Sequence, residues 1–201
     1  MKNNKFSNNN KGFSLVELII VIGIIAVMTG VSMVTITLLN SSRARESAVT
    51  FEAEVSALIE RSRGQTCVVG GVEKPSYYHC LKIYVDGSKT YIQQGYCYKD
   101  TTYSGTETKF SAKTEKYVFV PKDSTDKGVA MSTKVSMRYI DSSMSASEAI
   151  GNGASDIHEA FIIYDKKGMC LQGVGTFEFY KKNGNNVANV TIQKNGSHQS
   201  D

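Results

Sequence analysis

Several residue types are scarce in this 201-residue chain, which has no tryptophan, two prolines and three histidines. The histidines (His79, His158 and His198) form no recognisable Ser-His-Asp or Cys-His arrangement, and the chain has no phosphate-binding loop motif. These absences favour a protein that is not an enzyme. We therefore expect no catalytic residue, no cofactor and no bound metal.

The net charge is close to zero over most of the chain, because the excess of basic residues lies largely at the N-terminus. The formal charge is +4, but the first twelve residues carry Lys2, Lys5 and Lys11 and no acidic residue. The rest of the chain has 20 of the 23 basic residues against all 19 acidic ones. A nearly neutral domain has no broad electrostatic field for attracting phosphates, so nucleic acid is not the favoured partner.

Charge is absent altogether between Leu18 and Leu39. At about 1.5 Å per residue this run makes a helix of roughly 33 Å, which matches a hydrocarbon core of about 30 Å. An ordinary signal peptide has a shorter apolar core of about 7–15 residues. The run therefore predicts a membrane-spanning helix over about residues 15–39, in contact with lipid.

Glu17 is the one carboxylate at the start of this apolar run. A carboxylate costs about 2.5–3.5 kcal/mol near the membrane centre and less towards the interface, so Glu17 needs a partner. Cleavage between Gly12 and Phe13 would give Phe13 a free α-amino group. The amino group of a neighbouring subunit could then pair with Glu17, which would neutralise both charges and set the axial register between subunits.

The run from Lys11 to Gly23, KGFSLVELIIVIG, resembles the class III signal of type IV prepilins and type II secretion pseudopilins. The resemblance extends to about Val34. It implies that a prepilin peptidase cuts after Gly12 and methylates Phe13, and that Glu17 serves in assembly. The implied partners are other pilins or pseudopilins in a filament and an inner-membrane assembly platform. The helix lacks the proline of many major pilins, which favours a minor pilin or a pseudopilin.

The resemblance also implies a location. The subunit would cross the inner membrane once, with its head outside the cytoplasm, and then enter a pilus or pseudopilus. All filament types of this family share the N-terminal chemistry, so three uses stay open: a secretion pseudopilus, a type IV pilus and a DNA-uptake filament. A monomeric membrane-anchored binding protein is a further alternative, although it would have no use for Glu17.

The helix is expected to continue beyond the membrane. Apolar residues recur every three or four positions from Ala44 to Ile59, which is typical of an amphipathic helix, and Gly64 is a natural stop. We therefore predict three parts: a leader over 1–12, a helix over 13–63 that is amphipathic from 40 to 63, and a β-rich head over 64–201.

The head contains eight runs with the composition or alternation of short strands, several of them separated by Gly- or Asn-rich turns. Together with the long helix they predict an α+β type IV pilin fold with an antiparallel head. The C-terminal third resembles the H-type minor pseudopilins in its order of strands and glycines. The predicted strands are Cys67–Val72, Tyr77–Val85, Tyr91–Tyr98, Lys116–Val120, Val135–Ile140, Ala160–Tyr164, Gly175–Tyr180 and Val187–Ile192, and polar loops are expected over 99–115, 122–134 and 141–158.

An even number of cysteines in an exported head suggests disulfides, and we predict one between Cys80 and Cys97. If Val85 lies opposite Ile92 in a hairpin, the two cysteines are directly opposed, with Cβ atoms about 4.5–5.5 Å apart. Closing this loop would stabilise the head by roughly 3 kcal/mol in the chain-entropy model. The other connectivities, which involve Cys67 and Cys170, stay open.

Zinc is an alternative for Cys67, His79, Cys80 and Cys97, which have acceptable donor chemistry for a tetrahedral site. However, adjacent residues of a strand point to opposite faces of the sheet, so His79 and Cys80 are poorly placed to share an ion. The disulfide is therefore favoured over the metal.

Lysines near the C-terminal strands raise the alternative of DNA contact by the head. The candidates are Lys166, Lys167, Lys181 and Lys182, with Lys194 nearby. Lysines in turns are commonly only solvated, and the neutral balance of the chain favours that interpretation.

Overall fold

The computed structural model describes residues 13–102, 117–142, 147–181 and 184–201. Its first element is a single helix, α1, over Leu15–Gly64, and strands follow it. By its internal contacts the chain divides into two compact units, Met1–Leu39 and Asn40–Asp201. The boundary falls inside α1, because the second part of the helix belongs to the packed head.

The first part of α1 contains several hydroxyl side chains, which would be costly in an apolar environment if they lacked a partner. Each of them donates a hydrogen bond to the carbonyl four residues earlier in the helix, at donor–acceptor distances of 2.7–3.1 Å. The hydroxyl protons are therefore satisfied without a second chain or water. The four residues are Thr29, Ser32, Thr35 and Thr37.

The second part of α1 is amphipathic, as the apolar spacing predicts. Its buried residues recur at intervals of three and four and form one stripe, while the glutamates and arginines between them lie on other faces. Burial of the stripe against the head supplies the stabilisation that helix propensity alone does not give. The buried apolar residues are Ala44, Ala48, Phe51, Val55, Leu58 and Ile59.

A large sheet covers part of this stripe. Its strands lie in the order β10-β9-β3-β4-β5, with β6 also paired to β4, and all its pairings are antiparallel. The bounds are β3 Tyr78–Asp86, β4 Lys89–Lys99, β5 Tyr117–Pro121, β6 Val129–Ala130, β9 Glu159–Tyr164 and β10 Cys170–Gln172.

A second antiparallel sheet has the order β13-β12-β11-β7-β8. Its bounds are β7 Val135–Asp141, β8 Glu148–Ile150, β11 Gly175–Lys181, β12 Asn186–Ile192 and β13 His198–Ser200. A separate two-stranded hairpin, β1 Val68–Val69 and β2 Val72–Glu73, follows the helix. One long helix packed on antiparallel sheets confirms the α+β class and is consistent with the pilin fold.

Phe51 lies at the centre of the main core, where the helix meets the second sheet. Its ring centroid is 4.8 Å from that of Phe177 and 5.6 Å from that of Phe179, and Tyr139 packs on Phe177 at 4.9 Å. All four side chains are at most 2% exposed. From the large sheet, Leu81, Ile83, Ile92 and Ile162 join the same cluster.

Three expectations about the strands need correction. The predicted strand Cys67–Val72 is a hairpin, because Gly70 and Gly71 adopt φ values of 57° and 79° and reverse the chain. The expected polar loops over 122–134 and 141–158 contain β6 and β8. These strands have only two and three residues and form by pairing with β4 and β7, which local sequence does not reveal.

The predicted register of the β3–β4 hairpin is wrong by two residues. Ile83, not Val85, lies opposite Ile92, because a two-residue turn at Gly87–Ser88 connects Asp86 directly to its partner Lys89. Gly87 has a φ of 62°, typical of such tight turns. Cys80 therefore faces Gly95, and Cys97 faces Tyr78.

We predict that Phe51→Ala lowers the free energy of unfolding of the 40–201 fragment by about 3–5 kcal/mol, since it removes a fully buried ring from between two others. Val49→Ala is the matched control, because Val49 lies on the same helix with 64% of its side chain exposed. It should change stability by about 0.5 kcal/mol or less. Urea denaturation measures both, and equal effects would contradict the packing described for Phe51.

Candidate functional site

The start of α1 is held by a reciprocal pair of side chain to backbone hydrogen bonds. The backbone N–H of Ser14 donates to Oε2 of Glu17 at 3.0 Å, and the N–H of Val16 donates to the Ser14 hydroxyl at 3.3 Å. The first helical hydrogen bond runs from the Leu18 N–H to the Ser14 carbonyl at 3.1 Å. Ser14 is thus the N-cap, and Glu17 completes a capping box.

This arrangement gives Glu17 a partner within its own helix, which the cost of a carboxylate in an apolar run does not by itself predict. The signal was present in the sequence as Ser14-x-x-Glu17. A carboxylate in the first turn is also stabilised by the positive end of the helix dipole. Capping and pairing with a neighbouring subunit are compatible, because a carboxylate has about four acceptor positions and the cap uses one of them.

Phe13 immediately precedes this cap and is 87% exposed. Gly12, on the other side of the expected cleavage site, lies outside the described residues. The structure therefore places the residue expected to be methylated next to the residues of the cap. The bond expected to be cut is not described.

The helix beyond the cap is apolar on all sides. Large apolar side chains from Leu15 to Leu39 are between 49% and 73% exposed within the monomer. By length and composition α1 is the one helix in the described part of the chain that could cross a membrane. Such a surface is stable in lipid or against other apolar helices.

The cysteines form the second candidate site, and all four are thiols. Cys80 and Cys97 are completely buried on the face of the large sheet that points away from the helix, together with Ile163. The sequence alternation predicted this shared face correctly. The corrected register makes the two cysteines diagonal neighbours instead of directly opposed residues, but both remain in one buried cluster on the same face.

The remaining two cysteines differ in position. Cys67 is 3% exposed, and its thiol donates to the Tyr77 carbonyl at 3.4 Å, next to the residue that pairs with Cys97. Burial, with a smaller contribution from Cys97, raises the pKa of Cys67 to about 11. Cys170 belongs to the helix-side core, where its thiol donates to the Gln172 carbonyl at 3.0 Å.

His79 points away from the thiols, as the alternation of strand residues predicts. Its Nε2 is 3.1 Å from the Gln65 carbonyl, and its ring packs on Tyr96. Burial lowers the pKa of His79. Among the described residues no group of three His, Cys, Asp or Glu side chains has the arrangement of a metal site.

The structure does not bring the candidate DNA-contact lysines together. Lys166 and Lys167 lie in the turn between β9 and β10, and Lys194 lies near them, since its carbonyl accepts from the Cys170 N–H. Lys194 follows Ile192, which pairs with Gly175 at the start of β11, whereas Lys181 ends β11, a strand about 20 Å long at ~3.3 Å per residue. Lys182 lies outside the described residues. DNA contact stays a prediction.

Comparison with known proteins identifies the N-terminus. The family model for the prokaryotic N-terminal methylation motif matches residues 7–33, which include the cap and much of the apolar helix. No curated protein and no solved structure matches the chain. The H-type subfamily is accordingly not confirmed. This motif, together with an α+β fold consistent with pilins, supports the type IV prepilin and pseudopilin family, whose members are cleaved and methylated at the N-terminus.

Proposed function

We propose that this protein is a minor pilin or pseudopilin, a structural subunit of a type IV pilus or a type II secretion pseudopilus. Prepilin peptidase cleaves it between Gly12 and Phe13 and methylates Phe13. Before assembly it crosses the inner membrane once, with its head outside the cytoplasm. An inner-membrane platform then transfers it from lipid into the filament.

The observation that carries this proposal is the all-round exposure of apolar side chains between Leu15 and Leu39. Removing such surface from water yields about 25 cal/mol per Å², so the helix requires an apolar environment on every side. Lipid provides it before assembly, and the helices of neighbouring subunits provide it afterwards. Gly23 and Gly30, which have open space around their Cα atoms, permit close approach of another helix.

Glu17 supplies the specific contact that apolar packing lacks. In the monomer its carboxylate caps α1 through the Ser14 N–H. The protonated, methylated amine of Phe13 on a neighbouring subunit can approach the same carboxylate and use its remaining acceptor positions. This charge pair costs little at the edge of an apolar helix bundle, because each charge neutralises the other, and it favours one axial register.

We expect the mature protein to begin with N-methylated Phe13. The physical reason is that Phe13 lies directly before the N-cap, so cleavage at Gly12 removes no part of α1. Mass spectrometry of the N-terminal peptide from cell membranes measures this. An intact Met1, or an N-terminus beyond Leu39, would contradict the proposed processing.

We predict that Glu17→Gln lowers the amount of subunit in filaments by about tenfold or more, the effect of losing a charge-assisted contact of about 1.5 kcal/mol or above. Glutamine can still complete a capping box, so this change removes the charge and keeps the cap. Processing and membrane insertion should continue. Quantitative immunoblots of sheared filaments and membranes measure the two pools.

Ser14→Ala is the matched control for this experiment. It removes the hydroxyl that accepts from the Val16 N–H and keeps the Glu17 carboxylate. This variant should enter filaments at nearly the normal level. If Glu17→Gln assembles normally while Ser14→Ala does not, Glu17 acts only as a helix cap and the proposed pairing between subunits is wrong.

A further inference from the structure

The large sheet buries a cluster of thiols that filament assembly does not use. Cys80 on β3 and Cys97 on β4 are 0% exposed, and the side chains around them are mainly aromatic. The Phe119 ring lies directly over this part of the sheet, since a Cβ atom at Gly95 would come within 2.6 Å of it. Gly95 is the residue opposite Cys80, and Phe119 is the residue opposite Cys97.

The register makes a Cys80–Cys97 bond attainable but not ideal. Diagonal neighbours in an antiparallel pair lie about 7–8 Å apart, with Cβ atoms somewhat closer, whereas a disulfide needs Cβ atoms about 3.8 Å apart. The two residues lie on one face and in one buried cluster, so a local shift of the strands would complete the bond. A bond that holds its strands away from their preferred register is more easily broken by a third thiol.

Cys67 is such a third thiol. Its sulfur contacts the Tyr77 carbonyl, and the next residue, Tyr78, is the cross-strand partner of Cys97. Among the described residues, Cys97 therefore has two neighbouring cysteines. Cys80 lies on the adjacent strand β3, and Cys67 lies beside the start of β3. Cys170 lies on the other face of the sheet, towards the helix.

We propose that Cys97 is the shared partner of an exchangeable disulfide, bonded to Cys80 in one form of the head and to Cys67 in the other. The first form arises during folding, before the sheet buries Cys80 and Cys97, when their thiols give two electrons and two protons to a small-molecule or protein disulfide, which becomes two thiols. In the exchange the Cys67 thiolate attacks the Cys97 sulfur. The bond to Cys80 breaks, and the leaving sulfur takes up the proton that Cys67 released.

The two forms fasten different parts of the head. A Cys80–Cys97 bond joins β3 to β4, which nine residue pairs already connect. A Cys67–Cys97 bond joins β4 to the segment that directly follows α1. The exchange would thus fasten the end of the helix to the sheet, and it depends on the geometry of the head and not on filament assembly.

The test is disulfide mapping of the full-length protein during oxidative refolding. The protein is reduced in urea, refolded in detergent with oxidised glutathione, quenched at intervals with iodoacetamide in urea so that buried thiols are also blocked, and digested without reductant. Wild-type protein should yield the Cys80–Cys97 peptide as the main product and the Cys67–Cys97 peptide as a second product. In Cys80→Ser the Cys67–Cys97 peptide should become the main product.

Two further variants complete the design. Cys97→Ser should abolish both linked peptides, and Cys170→Ser, the matched control, should leave both unchanged. Cys80→Ala replaces Cys80→Ser if the hydroxyl prevents folding, which thermal unfolding of the reduced protein reports. The proposal is overturned if Cys97 stays a thiol or links to Cys170 in both Cys80 variants, or if wild-type protein never shows the Cys67–Cys97 peptide.

Discussion

The helix α1 is continuous, but its two parts require different surroundings. From Leu15 to Leu39 its apolar surface is exposed all round, and from Ala44 onwards it is confined to one buried stripe. The change coincides with the boundary between the two compact units at Leu39 and Asn40. The first part therefore needs lipid or other helices, whereas the second part needs only the sheets of its own head.

Polar groups in the first part are handled by the helix itself. The hydroxyls from Thr29 to Thr37 donate hydrogen bonds to backbone carbonyls one turn earlier. The Glu17 carboxylate accepts a hydrogen bond from the Ser14 N–H. The hydroxyl groups of this segment therefore need no polar partner in lipid. The contact of Glu17 with another subunit is then an additional interaction, which helps to explain why insertion and assembly are separable steps in the proposed function.

The arrangement of the thiols depends on a turn far from them. Gly87 and Ser88 close the β3–β4 hairpin in two residues, which pairs Asp86 with Lys89 and fixes every pair along both strands. A longer turn would have opposed Cys80 and Cys97 directly. The short turn instead makes them diagonal neighbours and leaves Cys97 beside Tyr78, close to Cys67.

The sequence alone determined the features that rest on local or one-dimensional patterns. Three sequence features were sufficient to predict the long helix, its amphipathic second part and the resemblance to type IV prepilins. They are the length of the uncharged run, the three- and four-residue spacing up to Ile59 and the motif around Gly12, Phe13 and Glu17. Strand alternation also placed Cys80 and Cys97 on one face.

The tertiary structure decided what depends on pairing between distant segments: the strands β6 and β8, the hairpin register, the separation of Lys166 from Lys181 and the position of Cys67. The physical reason is that alternation specifies the face of a residue but not its partner, since a shift of two residues keeps every side chain on the same face.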